Sequence, residues 1–585
     1  MKNPKAPCLP HTILLAIQRG QKRVYRETRA RQLAFGFPDS GPESVRFKLE
    51  ARTIATKAAE EWKKEVLAEA NGLSQFLGWN GDEVSALGKK LSARFLDRMQ
   101  TLAKLNLHRR IADVLEEARS WVFDDHLMPP IPGLSIDEKM LRATCPKFWR
   151  RFLRRHIWQA RERLYIKLGL IGSNAASYAS PDAIQTRRHQ LRATDEWLDS
   201  TVIINEEGKK LVLRKAIGDP KKRRLAKILA FVNGLEGIAR DENLEVMMIT
   251  VTLEPEWHPN PTSQSPGHQW NGKYPDEANR ELTRRFASIR KRLDGCSRTN
   301  KIRLTGFRVS EPHRDGCPHW HIVVLVQPAD RIRVLAEFMN AFPHKLKIRG
   351  NSGPESDQYF DTRDNLIGGV GRPSRPKPGR LEGAQVEVLP FSKTPRAANL
   401  SGYMLKYLLK VIDNNATDEA STAQRAVDAH RMVWKIRGLQ FFGIKSPLSR
   451  WDELRRAKEP PSEPFLFDLW AAARGSSDPE RPEGAQGDAK AFLMRLGAVA
   501  CLPHTKQTKS VQLVSIDAER WTTYGLRATR VIGVEVSEPI LVKKTKEHID
   551  KRTGEITDIE IKMLVKKTFG YHPTREHVWM VTKAG

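Results

Sequence analysis

Two histidines, His319 and His321, stand two residues apart in PHWHIVV. On a strand, residues two apart point to one face, so this pair presents two imidazoles together. Glu311, eight residues before His319, lies across a turn and is placed to add an oxygen. His313 shares its parity and competes as the third ligand. Two imidazoles and a carboxylate, with positions left open, form a workable cage for Mg²⁺ or Mn²⁺, and the imidazoles favour the transition metal.

A second group lies about eighty residues on, in YMLKYLLKVI (403–412). On a helix advancing about 100° per residue, Tyr403 and Tyr407 fall within about 40° of each other, with Lys406 and Lys410 beside them. Leu405, Leu408, Leu409 and Ile412 cluster roughly opposite, so the tyrosines are expected off the apolar stripe, on a face suited to phosphate. A phenol is a weak nucleophile at its ordinary pKa near 10. Attack on a phosphodiester therefore calls for a cation, and a divalent metal beside the tyrosines supplies one.

The elements that must hold these groups follow from periodicity. Arg303 to Val309 and His319 to Val326 read as two strands, joined by EPHRDGCP with its Asp315-Gly316 turn signal. Before them come a strand at Val246 to Leu253 and a helix that opens at Asp276 and stops at Gly295. After them come a helix over Arg331 to Phe342, a loop of Gly, Pro and Arg (GGVGRPSRPKPGR), a strand at Ala384 to Leu389 and a helix from Pro395 to Ile412. This order suits an antiparallel α+β sheet of the ferredoxin or RNA-recognition-motif kind.

The first third reads as helical and basic, with one helix over Ser44 to Gly72, a second from Asp82 and a third from Pro146. In the third, Phe148, Phe152, Ala160, Leu164 and Leu168 make a core face, and its arginines a solvated or phosphate-facing flank. Beyond Pro460 a linker-like segment precedes strand-like pieces at Val511 to Ile516 and Val531 to Val536. The chain is thus expected to be multidomain α+β. A mostly helical basic region (1–215) comes first, then an antiparallel-sheet domain (216–455), then a linker with a small mixed C-terminal region (456–585).

The balance of 99 Lys and Arg against 69 Asp and Glu, a formal charge of +30, points to a polyanionic partner. Five scattered cysteines with no CxxC pair argue against a disulfide framework or a zinc ribbon and fit a reducing cytoplasm. The apolar runs are too short to span a bilayer. Ile13 to Ile17 is too short for a signal core. No phosphate-loop motif for ATP hydrolysis is present.

GFRVSEPHRDGCPHWHIVV followed by SGYMLKYLLK resembles the replication gene A protein family of temperate tailed phages, rolling-circle initiators of the HUH superfamily. MMITVTLEPEWHP is similar to the family's first motif, and VWKIRGLQFFG follows the tyrosines. The resemblance covers about residues 240 to 455; the first 200 residues show no matching motif. It implies a HUH nuclease domain that nicks and rejoins one strand at a replication origin through a 5′-phosphotyrosine, leaving a 3′-hydroxyl for a host polymerase while a host helicase opens the duplex. It further implies that His319 and His321 hold the metal with Glu311 as third ligand, and that Tyr403 and Tyr407 are nucleophiles with Lys406 beside them. Thr250 and Thr252 match the first motif as elements of strand and loop, and Cys317 stands where a small polar turn residue is expected.

Other classes fit less of the chain. A basic initiator or regulator that grips single-stranded nucleic acid without cutting it leaves the Tyr/Lys face unused. A relaxase or single-strand transposase shares the metal pair but not the flanking motifs. A zinc hydrolase leaves the tyrosines unexplained.

Overall fold

The computed structural model describes residues 9–33, 41–77, 79, 81–104, 111–120, 135–172, 175–261, 268–295, 301–342, 346–349, 358–360, 363–367, 386–391, 400, 402–404, 407, 420–444, 447–475, 487–497, 499–502, 508–521, 527–549 and 556–582. It is a multidomain α+β protein. The Gly/Pro/Arg-rich loop, most of the expected helix from Pro395 to Ile412, including Lys406, and most of the acidic linker lie outside the described residues.

The N-terminal part is helical: α1 (His11–Leu33), α2 (Pro42–Leu73), α3 (Gly81–Lys104), α4 (Ile111–Ser120), α5 (Ile136–Ala143), α6 (Pro146–Lys167) and α7 (Pro181–Ser200). Pro146 opens α6, where the Cys145 sulfur accepts the Phe148 N–H at 3.4 Å. Phe148, Trp149, Leu153 and Ile157 recur on one face and are buried, with the Trp149 indole donating to the Ala143 carbonyl at 2.6 Å. The short apolar stretch at Ile13 to Ile17 serves this same core, through Ile13, Ala16 and Ile17 of α1.

A short strand pair, β1 (Val202–Ile204) and β2 (Lys210–Val212), and α8 (Leu213–Ile217) lead to α9 (Pro220–Asp241). The site-bearing sheet then forms from β3 (Glu245–Val251), α10 (Pro275–Gly295), β4 (Thr305–Pro312), β5 (Pro318–Val326), α11 (Arg331–Ala341), β6 (Leu346–Ile348), β7 (Gln358–Phe360), α12 (Arg363–Ile367) and β8 (Val386–Phe391). After α13 (Ala420–Trp434), β9 (Leu439–Phe442) completes seven strands in the order β7-β6-β8-β3-β5-β4-β9. All neighbours are antiparallel except β6 and β8, so the sheet is mixed rather than purely antiparallel. Helices α14 (Pro447–Arg456), α15 (Pro464–Arg474) and α16 (Ala489–Arg495) precede the meander β10 (Ser510–Trp521), β11 (Arg527–Ile549) and β12 (Ile556–Pro573). The strand-like pieces read in the last hundred residues belong to β10 and β11. A last strand, β13 (Met580–Thr582), returns to pair with β1.

The sheet is covered on both faces. Met247, Ile249, Trp320, Ile322 and Val324 pack with Leu282, Phe286 and Ile289 of α10 and Leu335 and Phe338 of α11. The opposite face, with Met248, Phe307, Val309, Val323 and Leu325, packs on α9, α14, α15, α16 and the helical residues Leu400, Met404 and Tyr407. Val511, Val534 and Val536 join that second core. Close approach of β4 to β5 depends on Gly306 (φ +156°), where a Cβ would lie 1.9 Å from the Val323 carbonyl oxygen.

Candidate metal and nucleophile site

The β4–β5 hairpin pairs Glu311 with His319 and Val309 with His321. Directly paired residues share a face, so both histidines and the glutamate stand on the side of the second core. A one-residue slip would turn the imidazoles into the apolar layer under α10 and α11, where nothing satisfies them. The turn is tight: the His313 N–H donates to the Cys317 carbonyl at 2.8 Å, the Gly316 N–H donates to the His313 carbonyl at 2.9 Å, and Gly316 takes φ +88°. Cys317 does not disturb it. Its N–H donates to Asp315 Oδ1 at 3.1 Å, and its thiol is buried.

The three side chains converge. His319 Nε2 and His321 Nε2 are 3.1 Å apart, and Glu311 Oε2 lies 3.4 Å from the second and 3.9 Å from the first. Octahedral ligands with bonds of about 2.1 Å stand roughly 3 Å from one another, so these atoms fit around one divalent ion with small adjustment. Among the described residues this is the one group of three or more His, Cys, Asp or Glu side chains able to share an ion. His313 is near but not in it. Its ring lies between those of His319 (4.3 Å) and His258 (4.8 Å), and burial, then the charge of His258, pushes its pKa down to about 4.

Sequence reasoning gave Thr250 only a strand role and missed Arg431 and His258, and all three support the site. Thr250 pairs with His321 across β3 and β5, and its Oγ1 lies 2.9 Å from His321 Nδ1. An Nδ1–H donated there leaves the Nε2 lone pair for a metal. Arg431 of α13 is partly buried and donates to the Ser310 carbonyl at 3.1 Å. Burial lowers its pKa to about 10, and the nearby Asp428 and Glu311 oppose that fall. His258 bonds through Nδ1 to Asp315 Oδ2 at 3.0 Å. Burial opposes its charge, but Cys317 and Asp315 outweigh burial and hold the His258 pKa well above the ordinary value.

The Tyr407 ring lies 4.2 Å from the His321 ring, and Tyr403 lies 5.9 Å from Tyr407. The expectation that the tyrosines avoid the apolar side is corrected here: Tyr407 is only 9% exposed, in one core with Leu400 and Met404, and Tyr403 packs against it. The reason is that the apolar second core surrounds the polar cluster, so a side chain reaching the histidines is buried on the way. That burial, with the Tyr403 hydroxyl bond and the Glu311 charge, pushes the Tyr407 pKa up, and Arg349 opposes the rise. Lys406, Leu405, Leu408, Leu409 and Ile412 lie outside the described residues. Among the described residues no helix is long and apolar enough to cross a membrane.

The sequence profile of the bacteriophage replication gene A protein (GPA) family matches residues 64–358. The match takes in the hairpin cluster and also most of the N-terminal helices, in which no motif is legible. The replication gene A protein of Escherichia phage 186 is 28% identical over 355 residues, 58% of this chain and 46% of that one. The replication protein of Haemophilus phage HP1 is 26% identical over 467 residues, 76% and 53%. A probable replication endonuclease from a prophage-like region of Salmonella paratyphi A is 26% identical over 328 residues, 54% and 37%. The chain thus spans about half the length, or less, of these relatives. No solved structure matches. With the profile extending over half of its residues, the chain belongs to the bacteriophage replication gene A protein family.

Proposed function

We propose that the protein cuts one strand of DNA at a replication origin, with a tyrosine as nucleophile beside a divalent ion, and later rejoins the strand to complete rolling-circle replication. The observation that carries this is the Tyr407 ring 4.2 Å from His321, within a cluster of Glu311, His319 and His321 whose spacing suits one ion. The core strands β8-β3-β5-β4, with α10 and α11 on one face, follow the βαββαβ order of a ferredoxin-like sheet and support its reading as a HUH nuclease domain. The names of the phage 186 protein and the Salmonella endonuclease agree with replication and with cutting.

Glu311, His319 and His321 would hold Mg²⁺ or Mn²⁺, with Thr250 orienting His321. The bound ion would draw charge from the scissile phosphate and ease attack on it. The phenolic oxygen of Tyr407 attacks phosphorus, the bond to the 3′ oxygen breaks, and the phenolic proton is exchanged for one taken up by that oxygen. The products are a 5′-phosphotyrosine and a 3′-hydroxyl. Tyr403, whose ring lies 5.9 Å from that of Tyr407, would repeat the step on the regenerated origin while the first end is still held. Lys406 keeps its assigned place beside the charge on helical spacing alone. Host polymerase and helicase would extend the 3′ end and open the duplex, in the bacterial cytoplasm.

The test is incubation with labelled single strands from the protein's own gene, with Mn²⁺ or Mg²⁺, read on a denaturing gel. Cutting that stops under chelator and in His321→Ala is expected. Undiminished cutting by His321→Ala under chelator would contradict the metal assignment.

A further inference from the structure

Away from the hairpin, four cations from three elements gather with little to neutralise them. Arg154 and Arg155 come from α6, Arg187 from α7, and Lys435 from the residue that follows α13. The junction is fixed. Gln159 of α6 donates to the Val433 carbonyl at 3.0 Å, and Arg187 donates to Asp428 of α13 at 2.5 Å. Among the described residues, Asp428 is the one carboxylate paired with these four. Arg155 and Lys435 are both exposed, and neither makes an ion pair or hydrogen bond among the described residues. The Arg154 guanidinium lies over the Trp158 ring at 5.4 Å, its Nε buried and without a partner.

The gathering is costly to the folded chain. Partial desolvation of the Lys435 ammonium, then Arg155, Arg187 and Arg154, lowers its pKa although the side chain as a whole stays exposed to solvent. Burial, then Arg155 and Arg163, takes the neighbouring His156 down to about 4. Lys435 also closes α13 at φ +56°, a left-handed conformation in which glycine is the undemanding residue. An anion bound among these groups would offset their mutual repulsion.

We infer that Lys435, Arg155, Arg154 and Arg187 form a binding site for backbone phosphates of the single strand on which the protein acts. This rests on the DNA-nicking reading and adds to it where the strand runs. The Ser310 N–H donates to the Gly438 carbonyl at 2.9 Å, so the segment carrying Lys435 flanks the strand that bears Glu311. Residue and strand spacings put Lys435 within roughly 20 Å of Glu311, a few nucleotides of single strand away. The VWKIRG segment, singled out in the sequence and used by no step of the chemistry, thereby acquires a role.

Binding of a labelled single-stranded oligonucleotide is measured by fluorescence anisotropy across a salt series, with chelator present so that nothing is cut. Lys435→Gly removes the cation and relieves the backbone together, so its Tm should equal or exceed that of the wild type while affinity falls several-fold. The slope of log affinity against log salt should become shallower by about 0.7 for each phosphate that is no longer neutralised. Arg155→Ala should do the same without touching the helix end. Unchanged affinity and slope in both variants overturn the inference. A difference seen with inorganic pyrophosphate and not with the oligonucleotide also overturns it, in favour of a small phosphate ligand. Failure of the nicking reading would show separately, as wild-type protein that binds the oligonucleotide but leaves it uncut when metal is supplied.

Discussion

Two histidine clusters lie side by side at the β4–β5 hairpin and have similar compositions, yet their side chains are arranged for opposite ends. In the first, His319 Nε2, His321 Nε2 and Glu311 Oε2 converge within 3.9 Å of one another, a spacing that suits one shared cation. In the second, His258 and Asp315 are satisfied as a buried hydrogen-bonded pair at 3.0 Å, His430 donates to the Gly316 carbonyl at 2.9 Å, and each bond braces the turn. His313 stands between them by ring contact. Residue types alone do not separate a ligand set from a brace. The direction of the nitrogen and oxygen atoms does.

Removal of single members should separate the clusters. Glu311→Ala should lower Mn²⁺ affinity and nicking by about a hundredfold or more, beyond the roughly 10–100-fold that outer partners cost, while His313→Ala stays under about tenfold. Reversed ranks, by titration calorimetry and initial rates, would transfer the third ligand to His313.

Asp315→Asn acts on the other cluster. It replaces the carboxylate that partners His258, which can then shed its proton, and should cost about 1–3 kcal/mol of stability through the weakened buried hydrogen bond. Metal affinity, measured on whatever protein remains folded, should change far less. A Tm close to that of the wild type would show that the pair is no brace.

Thr250→Val is the smallest test. It keeps the shape of the strand and removes only the Oγ1 contact to His321, so Mn²⁺ affinity should fall about 10-fold, at the lower end for such supports, with Tm nearly unchanged. An unaltered affinity would mean that the hydroxyl does not orient the ring.

What could be read from the sequence was local. Strand parity placed His319 and His321 on one face, the turn signal at Asp315-Gly316 marked the hairpin across which Glu311 lies, and the i, i+4 spacing put Tyr403 beside Tyr407; the register that sets Glu311 opposite His319 is legible only in the structure. Contacts that depend on distant register could not be read. Thr250 reaches His321 only because β3 pairs with β5, 71 positions away in sequence, and His258 reads as an ordinary histidine in a proline-rich loop. Burial of the tyrosines is hidden from a helical wheel, which orders residues around their own axis and carries no information on what packs there. Lys435, Arg155 and Arg187 form a cluster only through the packing of α13 on α6 and α7.

The central claim is that a tyrosine of this pair becomes joined to DNA, and peptide mapping of the covalent product tests it most directly. Wild-type protein, Mn²⁺ and an oligonucleotide spanning the origin should give an SDS-resistant adduct whose 5′ phosphate maps to Tyr407 or Tyr403, and the double Tyr403→Phe, Tyr407→Phe protein should bind the same DNA with no adduct. An adduct that persists in the double variant, or cutting that leaves a free 5′ phosphate and no protein attached, would contradict the account.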